Sequence, residues 1–129
     1  MSTTLNPPSI AAPVGAYSHA VVTPAGGRWL HVSGQVGIAP DGSLAAGFEA
    51  QAETVWSNLV AILAAAGMTV NDLVKVSTYL VSGDSLAALN PIRTRYLGSA
   101  RPASTLVVVK SLARPEWLIE VEVVAHRAD

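Results

Sequence analysis

Apolar and polar residues alternate with a period of two near the end of the chain. From Trp117 to His126, Ile119, Val121, Val123 and Ala125 share one face, and Leu118, Glu120, Glu122, Val124 and His126 the other. That is the pattern of a strand with one core face. Ala103 to Lys110, after Pro102, reads as the strand before it. Near the start, Tyr17 to Thr23 and Arg28 to Val36 flank Pro24-Ala25-Gly26-Gly27, whose residues suit a tight turn. In the second of these strands, Leu30, Val32, Gly34 and Val36 oppose Trp29, His31, Ser33 and Gln35. A glycine in mid-strand predicts a bulge or a close approach by another group. Pro40-Asp41-Gly42 is a further turn.

The period changes to three and four between Phe48 and Ala66. Ala52, Val55, Trp56, Leu59, Ile62, Leu63 and Ala66 form the apolar stripe of a helix, and Gly67 stands where a left-handed cap belongs. Leu73 to Val81 alternates again as a strand. Asp84 or Ser85 is expected to cap a second helix reaching Leu97, with Pro91 bending it. Met1 to Pro13 is expected to be a mobile or loosely docked lead-in.

The order β-β-α-β-α-β-β has two long helical connections, so part of the sheet is expected to be parallel through crossovers. Both helices would cover one face of a mixed sheet, giving an α+β fold in a single domain over residues 1–129. The other face carries Val and Leu among its polar groups, and self-association is the simplest cover. Composition points the same way: half the residues are hydrophobic and only 13% are charged, few for a small monomer. A formal net charge of -1 without a basic run argues against nucleic acid as a partner. The absence of cysteine removes disulfides, thiolate metal sites and a Cys nucleophile. With no signal sequence and no apolar run of ~18 residues, a cytoplasmic protein without a membrane partner is expected.

Glu120 is the leading candidate for chemistry. A carboxylate inside so apolar a strand is costly to bury alone, so it should meet water, a partner chain or a ligand. It suits a general base activating water, or an acceptor for a substrate nitrogen. The plainer alternative is an interface or solvent-facing glutamate, and Glu122 needs the same weighing. His19, His31 and His126 match no metal-ligand spacing, so no metal is expected. Ser33-Gly34-Gln35 would present a hydroxyl and an amide to a ligand, or simply bulge. No phosphate loop, dinucleotide fingerprint or nucleophile elbow occurs, and no cofactor is expected.

Several segments, taken in order, resemble the RidA/YjgF family of reactive intermediate deaminases. Val14-Gly15-Ala16-Tyr17-Ser18-His19-Ala20 is similar to its amino-terminal signature, and Val32-Ser33-Gly34-Gln35-Val36 to its Ser-Gly-Gln strand. Ala65-Ala66-Gly67, Asp72 to Leu80, Asn90, Arg101-Pro102-Ala103-Ser104-Thr105 and Ile119-Glu120-Val121-Glu122 continue the match. The resemblance covers about Ala12 to Arg127. It implies a chorismate-mutase-like α+β fold assembled as a homotrimer with small-molecule clefts between subunits. It also implies cofactor-free hydrolysis of imines or enamines to keto acids and ammonia. By motif, Glu120 would position the attacking water, and Tyr17, Ser33, Asn90 and Thr105 would line the cleft with Ser104.

One departure bears on substrate choice. Active members carry an arginine after the Pro-Ala pair, where this chain has Ser104. A serine cannot fork onto a carboxylate as a guanidinium does. With hydrogen bonds to charged groups contributing ~1.5–3 kcal/mol each, the loss weakens amino-acid-derived substrates by roughly tenfold to several hundredfold. Arg101, three residues earlier, is placed at the cleft mouth; Arg28, Arg93 and Arg95 have no position from sequence. The expectation is therefore a trimer that deaminates an altered range of imines or enamines. The alternative is a non-catalytic, small-ligand-binding, regulatory or chaperone-like trimer.

Overall fold

The structure is a computed structural model describing residues Met1–Asp129. Six strands and two helices follow one another: β1 (Thr3–Leu5), β2 (Ala20–Val22), β3 (Arg28–Gln35), α1 (Phe48–Ala65), β4 (Leu73–Leu80), α2 (Leu86–Leu97), β5 (Ala103–Val108) and β6 (Ile119–Arg127). Short 3-10 turns at Val70–Asp72 and Gly83–Ser85 lead into β4 and α2. The main sheet runs β3-β6-β4-β5. β6 is antiparallel to both β3 and β4, while β4 and β5 are parallel, joined by the α2 crossover. The sheet is therefore mixed, with both helices on one face.

The alternation in β6 is realised as read. Ile119, Val121, Val123 and Ala125 are buried against the helices, and Glu122 on the other face is exposed. From α1, Ala52, Val55, Trp56, Leu59 and Leu63 complete the core with Val76 and Leu80 of β4. α1 closes as expected: Gly67 takes φ +72°, the Met68 N–H donates to Leu63 O at 2.8 Å, and the Gly67 N–H to Ala64 O at 2.9 Å. The left-handed turn at Gly67 thus lets the N–H groups of Gly67 and Met68 reach back to two consecutive carbonyls at the helix end. α2 buries Leu89 and Leu97 and is tied to α1 through Glu53, which pairs with Arg95 and accepts from the Tyr96 hydroxyl at 3.0 Å.

A buried amide positions the start of β6. Gln51, in the first turns of α1, is 2% exposed. Its Nε2 donates to Glu116 O at 3.1 Å, and its Oε1 accepts from the Leu118 N–H at 2.9 Å. The chain after β3 passes so close to α1 that a Cβ on Gly37 would stand 2.7 Å from the Gln51 Cα. Gly37 therefore has no substitute that leaves α1 in place.

Three details differ from the sequence reading. Residues 17–23 and 28–36 do not close a hairpin, because β2 pairs with β1 instead. Gly26 and Gly27 do turn the chain, at φ +79° and +81°, but the turn is docked on the end of β6, where His126 Nε2 meets Gly26 O at 2.7 Å. The lead-in is partly ordered: Thr3–Leu5 forms β1, with all three residues exposed. Neither Asp84 nor Ser85 caps α2 with its side chain; Ser82 Oγ instead accepts from the Asp84 N–H at 3.2 Å, capping the preceding 3-10 turn. Pro91 sits inside α2 on its exposed side, and the helix continues to Leu97.

Truncating Leu59, 1% exposed at the centre of α1's buried face, should cost about 2–5 kcal/mol in Leu59→Ala, read as a shift of the urea unfolding midpoint. A midpoint equal to that of the unaltered protein would contradict the core described above.

Candidate functional site

Strand register decides which candidate residues share a face. Glu120 pairs with Tyr79 and Glu122 with Ser77, on the sheet face away from the helices. Ser104 pairs with the buried Val76, on the helix-covered face beside α2. Within one chain, then, Glu120 and Ser104 point to opposite sides of the sheet. They line two separate cavities.

The first cavity, about 400 Å³, is bounded by Gly34, Tyr79, Leu112, Glu120 and Glu122, with the loop after β5 as its rim. The expected bulge in β3 is present: register shifts between Val32 and Gln35. It turns Gly34 toward the carboxylate of Glu120, so that a Cβ there would stand 2.8 Å from Glu120 Cδ. Gly34 and Glu120 thus lie on one face, against the strict alternation read from sequence. The two glutamates are not equivalent. The Tyr79 hydroxyl donates to Glu122 Oε1 at 2.6 Å, whereas Glu120, half-buried, has no hydrogen-bond partner in the chain. Ser33 is exposed beside this cavity without lining it, and its carbonyl accepts from Gln35 Nε2 at 3.1 Å.

The second cavity, about 540 Å³, gathers Tyr17, Asn90 and Ser104 as the motifs imply, and adds Arg93, Thr94 and the apolar Leu86 and Leu106. Tyr17 is brought there because Ser18 bridges to Ala103 at the edge of β5, its N–H donating to Pro102 O at 3.0 Å. Asn90 and Arg93 lie one turn apart on α2, and Arg93 Nη2 donates to Asn90 Oδ1 at 2.8 Å. Arg93 was not placed by sequence reasoning, although its three-residue spacing from Asn90 was the available signal. Partial burial pulls its guanidinium below the ordinary arginine pKa.

The remaining candidates lie elsewhere. Arg101 is exposed, with Nη1 donating to Gly98 O and Ala100 O, both at 2.8 Å, so its guanidinium lies outside both cavities. Thr105 faces away from the helices and accepts from Lys75 Nζ at 2.7 Å. The histidines are dispersed: His19 bonds Ala11 O, His31 stacks on Trp29, and His126 is buried against Trp29's edge. No three metal-ligating side chains converge.

The bond to Glu122 raises the Tyr79 hydroxyl above the ordinary phenol range. A raised pKa means that the bond contributes fully below the ordinary phenol value and is lost as pH climbs through the raised one. In Glu122→Gln, the Tyr79 step in an alkaline absorbance titration should move back toward the ordinary value. An unmoved step would contradict the pairing.

Comparisons with known proteins agree with this fold. The family model described as Endoribonuclease L-PSP matches residues 8–127. A RutC family protein of Pyrococcus horikoshii is 36% identical over 117 residues, covering 89% of this chain and 90% of that one. A RutC family protein of Aquifex aeolicus is 37% identical over 121 residues, covering 92% and 94%. Among solved structures, a Rid family protein of unknown function from Yersinia pestis superposes with a TM-score of 0.88 at 37% identity, covering 98% of both chains. RidA from a Psychrobacter species gives 0.74 at 35% identity, covering 97% of this chain and 99% of that one. With the family match over residues 8–127, the sequence identity and the superposition in agreement, the chain belongs to the RidA/YjgF family.

Proposed function

We propose that three copies of this chain assemble as a homotrimer, and that Glu120 of one protomer faces the Tyr17–Asn90–Ser104 cavity of its neighbour across a small-molecule cleft. In that cleft an imine or enamine is hydrolysed to a carbonyl product and ammonia. The observation that carries the reading is the state of Glu120: a half-buried carboxylate without an intrachain partner, at a cavity kept open by Gly34. Uncompensated burial of a carboxylate is costly, and a bound water or substrate nitrogen is the natural partner. Support for assembly comes from the helix-free sheet face, where Trp29 is 49% and Val107 40% exposed.

The chemistry needs no more than water and a proton carrier. Glu120 accepts a proton as water oxygen attacks the carbon of the C=N bond. That proton passes to nitrogen to give the carbinolamine; its hydroxyl proton is then carried to nitrogen by the same carboxylate as the C–N bond breaks, C=O forms and ammonia leaves. An enamine first takes a proton on carbon to become the imine. Ser104 supplies no charge, so substrates bound mainly through an arginine at that position are disfavoured, and the substrate range is altered. The same uncharged residue favours a second reading, in which the trimer binds a small ligand without turnover.

Purified protein given 2-iminopropanoate or 2-iminobutanoate generated in situ should consume the imine, and Glu120→Gln should lower the rate by about 10²–10⁴. Light scattering should report three chains per particle. An unchanged rate in Glu120→Gln, or a particle of one chain, would overturn the deaminase reading. Silence from the unaltered protein and from Ser104→Arg favours the non-catalytic trimer.

A further inference from the structure

We infer that Arg93, on α2, is the cation that holds a ligand's carboxylate in the second cavity, so that this chain carries on a helix the positive clamp absent from position 104. The inference rests on the proposed function for what the carboxylate belongs to, a small 2-imino or 2-oxo acid.

Of the chain's seven other Lys and Arg side chains, six have partners elsewhere, and the seventh, Lys110, does not line this cavity. Arg28 pairs with Asp129, Arg95 with Glu53 and Arg127 with Asp72. Arg101 is held by two backbone carbonyls, Lys75 by Thr105, and Arg114 lies over the Trp117 ring. Arg93 has no acidic partner, and no Asp or Glu lines its cavity. A partly buried guanidinium without a counter-anion is unfavourable; the depressed pKa of Arg93 has that cause. An anion entering the cavity would offset the desolvation already incurred.

The fork is also oriented. Asn90 Oδ1 takes one hydrogen of Nη2, and Nε is shut off from solvent without a partner. This leaves Nη1 and the second Nη2 hydrogen without intrachain acceptors, a pair suited to the two oxygens of a carboxylate. Ser104, short where the family has arginine, leaves the space open and adds a hydroxyl. Leu86 and Leu106 supply apolar walls, which suit a short carbon skeleton. A carboxylate on a small apolar chain satisfies each of these groups.

Pyruvate, the product expected from 2-iminopropanoate, is the probe, with binding followed by NMR titration of the assembled protein. Arg93→Gln should weaken pyruvate by roughly ten- to hundredfold. Arg93→Lys, which keeps charge without the fork, should fall between Arg93→Gln and the unaltered protein, and it provides the reading should Arg93→Gln not fold. Arg95→Gln, whose cation already has an acidic partner, should bind as the unaltered protein does. Uncharged pyruvamide should bind the unaltered protein and Arg93→Gln equally. Pyruvate affinity unchanged in Arg93→Gln or in Arg93→Lys, or no saturable binding to the unaltered protein, would overturn the inference. Failure of the deaminase reading looks different: Glu120→Gln would then leave imine hydrolysis unchanged, whatever pyruvate does.

Discussion

The whole arrangement depends on one strand having two unlike faces. β6 is hydrogen-bonded on both sides, by β3 and β4, so its backbone has no freedom to rotate. Its period of two then sends Ile119, Val121, Val123 and Ala125 into the core and Glu120 and Glu122 to the side without helices. A register slip by one residue would drive both carboxylates under α1 and expose four aliphatic side chains, a change no surface contact could offset. The buried amide of Gln51 prevents slippage at the entry to the strand by holding Glu116 and Leu118 at once. The position of Glu120 is therefore set by the core.

From this follows the separation of the proposed site into two halves. One half lies on the helix-free face, with Glu120 beside Gly34; the other lies at the β5 edge under α2, with Ser104 turned toward Asn90 and Arg93. Each half alone is chemically incomplete, since the first holds two carboxylates and no cation and the second a cation and no carboxylate. In the trimer proposed above, symmetry would repeat the same meeting of unlike surfaces at every interface, and one short chain would complete a site with two dissimilar walls.

Much of this was legible in the sequence, and the reasons it stopped are physical. The strands and α1 could be read because burial on one side imposes period two or period three-to-four on the residues themselves. Gly34 and Gly67 were legible because a bulge and a left-handed cap each need what glycine supplies. Beyond the bulge, parity counting fails, and Gly34 comes to share a face with Glu120. The pairing of β2 with β1 depends on where a loop docks, here on His126, and no local pattern encodes it. α2 was readable as a helix but not oriented, because its apolar stripe is thin and interrupted by Pro91. For that reason Arg93 had no assigned place, while Arg101, adjacent in sequence to the motif, turned out to be spent on the end of α2.

The central claim is that Glu120 and the Ser104 cavity act together across a protomer boundary. Complementation tests it most directly: Glu120→Gln is unfolded and refolded in equal amounts with Ser104→Trp, which fills the other cavity, and imine hydrolysis is measured. Random assembly of two inactive parents should return about a quarter of the unaltered rate, since that fraction of clefts receives both halves intact. A mixture as inactive as either parent would contradict a site shared between protomers.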